Sequence, residues 1–193
     1  DINPTAVSWG TGVFALVGLS TVAAVDVNSG AVKFVVPIAN VVPKSSVYDM
    51  IEAVAVLFNT THVIIVDTDS GSVNGIYAFA QDDLPVSAAT VTVTSRATVT
   101  VNFQGGTSFK LVNLAIRTAK VVATNELAFD DGNLITNYAA SAVFSPSKRL
   151  VMLMTTTKNE DDDNDSNAVK VRIYNSATLA TVHTSLIPKM QTD

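Results

Sequence analysis

Residues with the means to do chemistry are few and scattered along this chain. The most polar stretch is Glu160-Asp161-Asp162-Asp163-Asn164-Asp165-Ser166-Asn167, in which Asp161, Asp163 and Asp165 alternate like the first oxygen ligands of a calcium loop. No Gly follows at the sixth position, and Arg172 stands at the twelfth, where that loop needs Glu. The run therefore reads as a solvated insertion between strands, with calcium as the outside alternative. Asp67-Thr68-Asp69-Ser70-Gly71 has the makings of a metal turn, but Asp26-Val27-Asn28-Ser29-Gly30 repeats it without the second carboxylate, so a hairpin role explains both. His62 and His183 lie too far apart in sequence to form a local ligand pair, and neither has a hydrolase-type Ser-Asp setting. There is no Walker A motif, dinucleotide glycine fingerprint or His-Glu-x-x-His helix. Cysteine is absent, which excludes thiol nucleophiles, disulfides and thiolate metal sites. No metal or cofactor is expected.

The elements that must position these residues are strands. Of 193 residues, 48% are hydrophobic and 15% charged. Val and Thr dominate, whereas Glu occurs only at Glu52, Glu126 and Glu160. That bias suits pleated, half-buried surfaces and leaves little for solvent-facing helices. The net charge of −5 and pI of about 4.8 argue against nucleic acid as a partner. The apolar run Val13 to Val25 is too short for the roughly 20 residues a membrane helix needs, so no membrane span is expected.

The most informative feature is a repeat. Ala24-Val25-Asp26-Val27-Asn28-Ser29-Gly30-Ala31-Val32 returns 41 residues later as Ile65-Val66-Asp67-Thr68-Asp69-Ser70-Gly71-Ser72-Val73. Each copy is an apolar run, a turn rich in groups that bond the backbone, and a second apolar run. A looser copy runs from Ser141 through the Ser145-Pro146 turn to His183, with its own turn at Asn175-Ser176-Ala177-Thr178. Another can be drawn from Thr98 to Ala123, where Arg117-Thr118 replaces the Asp-x-x-Ser-Gly turn. A period of about 40 to 45 residues with three or four short strands per unit is the signature of propeller blades.

The segment Ala24 to Phe34 resembles the quinoprotein-type propeller repeat, Ala-x-Asp-x-x-x-Gly-x-x-x-Trp, and Phe144-Ser145-Pro146-Ser147 resembles the Phe-Ser-Pro turn of WD-type blades. Phe34 stands where the docking Trp of that repeat would be, with Tyr77 near the equivalent place in the next copy, and the only Trp, Trp9, lies elsewhere. The resemblance thus implies a scaffold propeller of a luminal or extracellular complex more than a quinone enzyme.

The fold expectation is an all-β, β-propeller-like domain over residues 1–193 with about four blades, near 6–38, 49–79, 87–128 and 138–187. It would be a closed four-bladed ring or half of a larger propeller. The alternative is a β-sandwich, suggested by the period-two ladders Thr90 to Thr94 and Thr98 to Asn102 around Ser95-Arg96-Ala97. The expected function is non-catalytic binding or scaffolding, through a protein partner or self-association. A structural β-sandwich shell, fibre or adhesin domain is one alternative. A propeller enzyme with a channel-mouth site at Asp49, Glu52 and Glu126 is another. Interface candidates are Trp9, Asp82, Asp83, Asp130 and Asp131, within a loop face formed by Asn40 to Asp49, Asp82 to Val86 and Asp130 to Asn137. The sequons at Asn59 and Asn164 would carry glycans if the chain enters the secretory pathway.

Overall fold

A computed structural model of the chain describes residues 5–8, 13–17, 21–37, 45–49, 53–82, 84–85, 89–105, 108–128, 141–158 and 167–187. All regular structure among them is strand, arranged as four antiparallel four-stranded sheets in chain order. The first sheet holds β1 (Thr5–Ser8), β2 (Val13–Val17), β3 (Thr21–Asp26) and β4 (Val32–Pro37). The second holds β5 (Ser45–Asp49), β6 (Val54–Phe58), β7 (His62–Asp67) and β8 (Val73–Ala78). The third holds β9 (Thr90–Ser95), β10 (Thr98–Gln104), β11 (Ser108–Ala115) and β12 (Val121–Ala128). The fourth holds β13 (Ser141–Phe144), β14 (Leu150–Lys158), β15 (Asn167–Asn175) and β16 (Thr181–Ile187). Each sheet is a simple meander in which every strand pairs with its neighbour in sequence. No described helix is long and apolar enough to cross a membrane.

This is a propeller-like stack of blades. The β-sandwich alternative is overturned, because the chain forms four separate sheets rather than two facing ones. The Thr-Val hairpin it rested on does form, as β9 and β10 with Val99 opposite Val93 and Val101 opposite Val91, but inside the third blade. Ser45 to Asp49, expected in a loop, is instead the first strand of the second blade.

Successive blades are joined by apolar cores. Val22, Ala24 and Val36 of the first blade pack with Ala55, Leu57, Ile64 and Val66 of the second. The other face of the second blade, including Val63 and Ile65, packs with Val91, Val93, Val99, Val101 and Leu114 of the third. A smaller core of Phe109, Leu111, Val151, Tyr174 and Leu179 joins the third and fourth. Strands β6 and β7 read as nearly unbroken apolar runs because both of their faces are covered. Each such side chain contributes about 1.5–3 kcal/mol on full burial. The last strand of each blade lies at a sheet edge, and β16 is exposed along almost its whole length. Among the described residues, no core cluster joins the first blade to the fourth.

Candidate functional site

The repeat turn between the third and fourth strands of each blade positions most of the described polar groups that sequence singles out. In the first blade Asp26 Oδ1 accepts from the backbone N–H of Asn28 at 3.0 Å and of Ser29 at 3.0 Å, and from Ser29 Oγ at 3.1 Å. In the second, Asp67 Oδ1 accepts from Asp69 N at 3.0 Å and Ser70 N at 2.8 Å. In the fourth, Asn175 Oδ1 accepts from Ala177 N at 2.9 Å and Thr178 N at 3.1 Å. In the first two turns the donors favour the charged carboxylate. The Ser29 N–H, first, then its hydroxyl, hold Asp26 below its ordinary pKa, and the Ser70 N–H, chiefly, does so for Asp67. Both aspartates thus act as turn formers.

The fifth residue of each turn donates its N–H to the carbonyl of the first: Gly30 to Asp26, Gly71 to Asp67, Ala119 to Ala115 and Leu179 to Asn175. All four have positive φ, between 52° and 70°. The third blade therefore keeps the turn geometry although Ala115 replaces the aspartate, which the substitution of Arg117-Thr118 had obscured. Only glycine adopts this backbone without cost, and Ala119 and Leu179 hold it through the packing around them.

These turns are where one blade docks on the next. A Cβ added to Gly71 would lie 2.5 Å from Cγ and 2.6 Å from Cβ of Phe34, so the ring of the preceding blade covers that glycine. Counting eight residues from Asp26 reaches Phe34, and counting eight from Asp67 reaches Gly75, not Tyr77, which corrects the expected equivalence. Gly75 lies against the Thr118 carbonyl and Ala119 of the third blade. The same step in the third blade reaches Ala123, which packs in the core that holds Leu179 of the fourth. A bulky residue meets a small one at the first and third joints, and two small residues meet at the second. Among the described residues, no atom lies within 4 Å of the would-be Cβ of Gly30 in the first blade.

Between the third and fourth blades the joint is also polar. Asn113, fully buried on β11, accepts from Thr100 Oγ1 at 2.6 Å and donates through Nδ2 to the carbonyls of Ser176 at 2.7 Å and Ala177 at 3.0 Å. Asn125 Nδ2 donates to the Leu179 carbonyl at 3.0 Å. Thr94 joins the seam through Thr100 at 3.1 Å. Sequence reasoning missed this seam, because nothing local distinguishes Asn113 from a solvent-facing residue.

The carboxylates proposed for a channel-mouth site are not brought together. Asp49, at the end of β5, pairs with Lys148 Nζ at 3.0 Å across to the β13–β14 turn. Glu126 lies on the edge strand β12, where Ser108 Oγ donates to it at 2.7 Å and Lys110 approaches to 3.7 Å. Glu52 lies outside the described residues. His62 opens β7 rather than sitting in the turn before it, and its Nδ1 meets Thr61 Oγ1 at 2.8 Å. His183 is exposed on β16, with Nε2 at 2.7 Å from Ser185 Oγ. Asn59 Oδ1 accepts from Thr61 N, Thr61 Oγ1 and His62 N, closing the β6–β7 turn. Asp82 is exposed just after β8. Trp9, Asp83, Asp130, Asp131, Asp161, Asp163, Asn164 and Asp165 lie outside the described residues. Among the described residues, no group of three or more His, Asp or Glu side chains converges as a metal site would require.

No protein-family model matches the chain, and no curated protein sequence does. Solved structures are similar in fold. The europium-containing methanol dehydrogenase is 13% identical, with a TM-score of 0.58 over 97% of this chain and 44% of that one. Hydrazine synthase of Kuenenia stuttgartiensis is 11% identical, with a TM-score of 0.57 over 92% of this chain and 51% of its own. The WD40 domain of SCAP from fission yeast is 8% identical, with a TM-score of 0.55 over 99% and 53%. The chain therefore has the fold of β-propeller proteins, and it spans about half the length, or less, of these structures.

Proposed function

We propose that this chain is a non-catalytic scaffold module that holds other proteins against a rigid stack of blades. The carrying observation is the apolar character of the edge strands. Val32 and Val35 on β4, Val121 and Val122 on β12, and Val182, Leu186 and Ile187 on β16 are all exposed, up to 60% for Val32. Isolated apolar residues are ordinary on a surface, but rows of them on sheet edges carry unpaired backbone groups beside them and favour a partner chain. The WD40 neighbour supports an interaction role at the level of fold only. In the same direction, Asp26 and Asp67 are committed to turn hydrogen bonds, and Asp49 is committed to Lys148.

The test pairs affinity capture with activity screening. Wild-type chain should retain a stoichiometric partner from its native extract, and a Val122→Lys, Val182→Lys variant of unchanged circular dichroism should lose it. Turnover of a sugar, alcohol or ester substrate that survives repurification and disappears in Asp49→Asn would overturn the reading in favour of an enzyme.

A further inference from the structure

Polar burial is confined to one part of the stack. Every buried polar residue among those described lies on the third or fourth blade, and the cores that join the first blade to the second and the second to the third are apolar. On the joint between the third and fourth blades Asn113 is paired with Thr100, Ser176 and Ala177, and Thr94 with Thr100. Asn102 is the exception. It is 4% exposed, and its Oδ1 has no hydrogen-bond partner among the described residues.

The register shows where that oxygen lies. Val99, Val101 and Phe103 of β10 turn to the second blade, so Asn102, like Thr100, faces the fourth. Directly opposite Asn102 on β11 stands Leu111, which shares a core with Tyr174 of β15. Tyr174 is 1% exposed, and its hydroxyl too has no partner among the described residues. Burial raises its pKa above the ordinary value, against the opposing charge of Arg172, so at neutral pH the group is an uncharged donor. Thr92, half-buried on β9 opposite Thr100, brings a second unpartnered hydroxyl to the same face.

An acceptor and a donor thus adjoin one small core without a direct bond between them. A buried acceptor left alone carries its whole desolvation penalty, and polar groups beyond direct reach of each other are commonly joined by water. The chemistry of the place suits water better than other ligands. One amide oxygen and two hydroxyls are too few for a hard cation, which takes six to eight oxygens. Leu111 and Val151, both buried beside Tyr174, leave no opening for a larger molecule.

We infer that a single ordered water sits in the joint between the third and fourth blades, donating to Asn102 Oδ1 and accepting from the Tyr174 hydroxyl, with Thr92 Oγ1 as its third partner. Interior waters make about three such bonds. The water ties the second strand of the third blade to the third strand of the fourth, and so carries the polar seam of Asn113 further along the joint. It does not rest on the scaffold reading, since it lies inside the stack.

The test is a crystal structure of the 193-residue chain at a resolution that orders interior waters, read together with two variants. A water within about 2.6–3.2 Å of both Asn102 Oδ1 and Tyr174 Oη is expected. Native-state hydrogen exchange on β15 measures what it contributes. Tyr174→Phe and Asn102→Leu should each lower protection about tenfold, because each strands the group left behind. The double variant should recover most of that loss, since removing both polar partners together is nearly neutral. An Asn102→Leu chain better protected than wild type would mean a dry, unpaired acceptor and would overturn the proposal. Losses that simply add in the double variant would do the same. So would a direct Tyr174–Asn102 bond, or another side chain on that oxygen, in the wild-type crystal, which decides the matter even if a variant does not fold.

Discussion

Replacing Asn113 by Ala should loosen the fourth blade while leaving the second and third in place. The side chain is fully buried, and its amide donates to two carbonyls of the β15–β16 turn while its oxygen accepts from Thr100. Truncation leaves three groups in need of partners, but they are not equal. Ala177 is exposed, so water can satisfy its carbonyl, and Thr100 can turn its hydroxyl toward Thr94. Ser176 is buried, so its carbonyl bears a desolvation penalty of about 1–3 kcal/mol. Taking about 2 kcal/mol for that penalty and the low end, about 0.5 kcal/mol each, for the two bonds whose groups regain partners gives a loss of about 3 kcal/mol. That is about a hundredfold in the equilibrium that docks the blade. In a chain of nearest-neighbour units the loss stays local, and among the described residues the core on this joint is the smallest of the three. Native-state hydrogen exchange is the assay. Amides of β15 should lose about two decades of protection, while those of β6 and β7 keep theirs. If β15 is unchanged, or if β7 loses as much as β15, the polar seam does not hold the fourth blade and the reasoning fails.

Two further outcomes follow from the repeat turns. Gly30→Ala should cost only the positive-φ strain, about 1 kcal/mol, whereas Gly71→Ala should cost clearly more because its Cβ meets the Phe34 ring at 2.5 Å. Urea midpoints compare them, and equal losses would mean that Phe34 does not seal the joint. Donors from the turn lower the folded pKa of Asp26 and Asp67, so their contribution is fully present above the unfolded value of about 4 and is lost as pH falls through the lower folded value. Stability should therefore be flat from neutral pH down to about 5 and decline below 4. Asp67→Asn, which keeps the acceptor as Asn175 does, should make the decline shallower in acid unfolding curves, and an unchanged slope would refute that role.

The repeat was readable where the backbone demand and the residue coincide. Gly30 and Gly71 sit where φ must be positive, and Asp26 and Asp67 stand where a side-chain acceptor closes the turn, so two of the four turns announce themselves. The third and fourth turns keep the shape with Ala119 and Leu179 in the glycine position. Their backbone is held by the N–H to carbonyl bond across the turn and by burial, neither of which leaves a local signal. The same limit explains why Tyr77 looked like the equivalent of Phe34. Docking matches sizes across two blades, and the second blade fills the position with Gly75 because the third presents Ala119 and a backbone carbonyl there.

The Thr-Val ladders show what separates a propeller from a sandwich in a single sequence. Alternation states that the two faces of β9 and β10 differ, and a threonine face is ordinarily taken for the solvent side. Here both faces are covered. Val91, Val93, Val99 and Val101 meet the second blade, while Thr94 and Thr100 feed hydrogen bonds to Asn113 and through it to the fourth. Threonine serves that position because its hydroxyl bonds across the strands while its methyl packs, and a valine there would orphan the Asn113 oxygen. The partners that make this face an interior are Ser176 and Ala177, at sequence separations of 63 and 64 residues from Asn113. A polar joint also restricts how the blades can slide, since the two carbonyls accept the amide at one register.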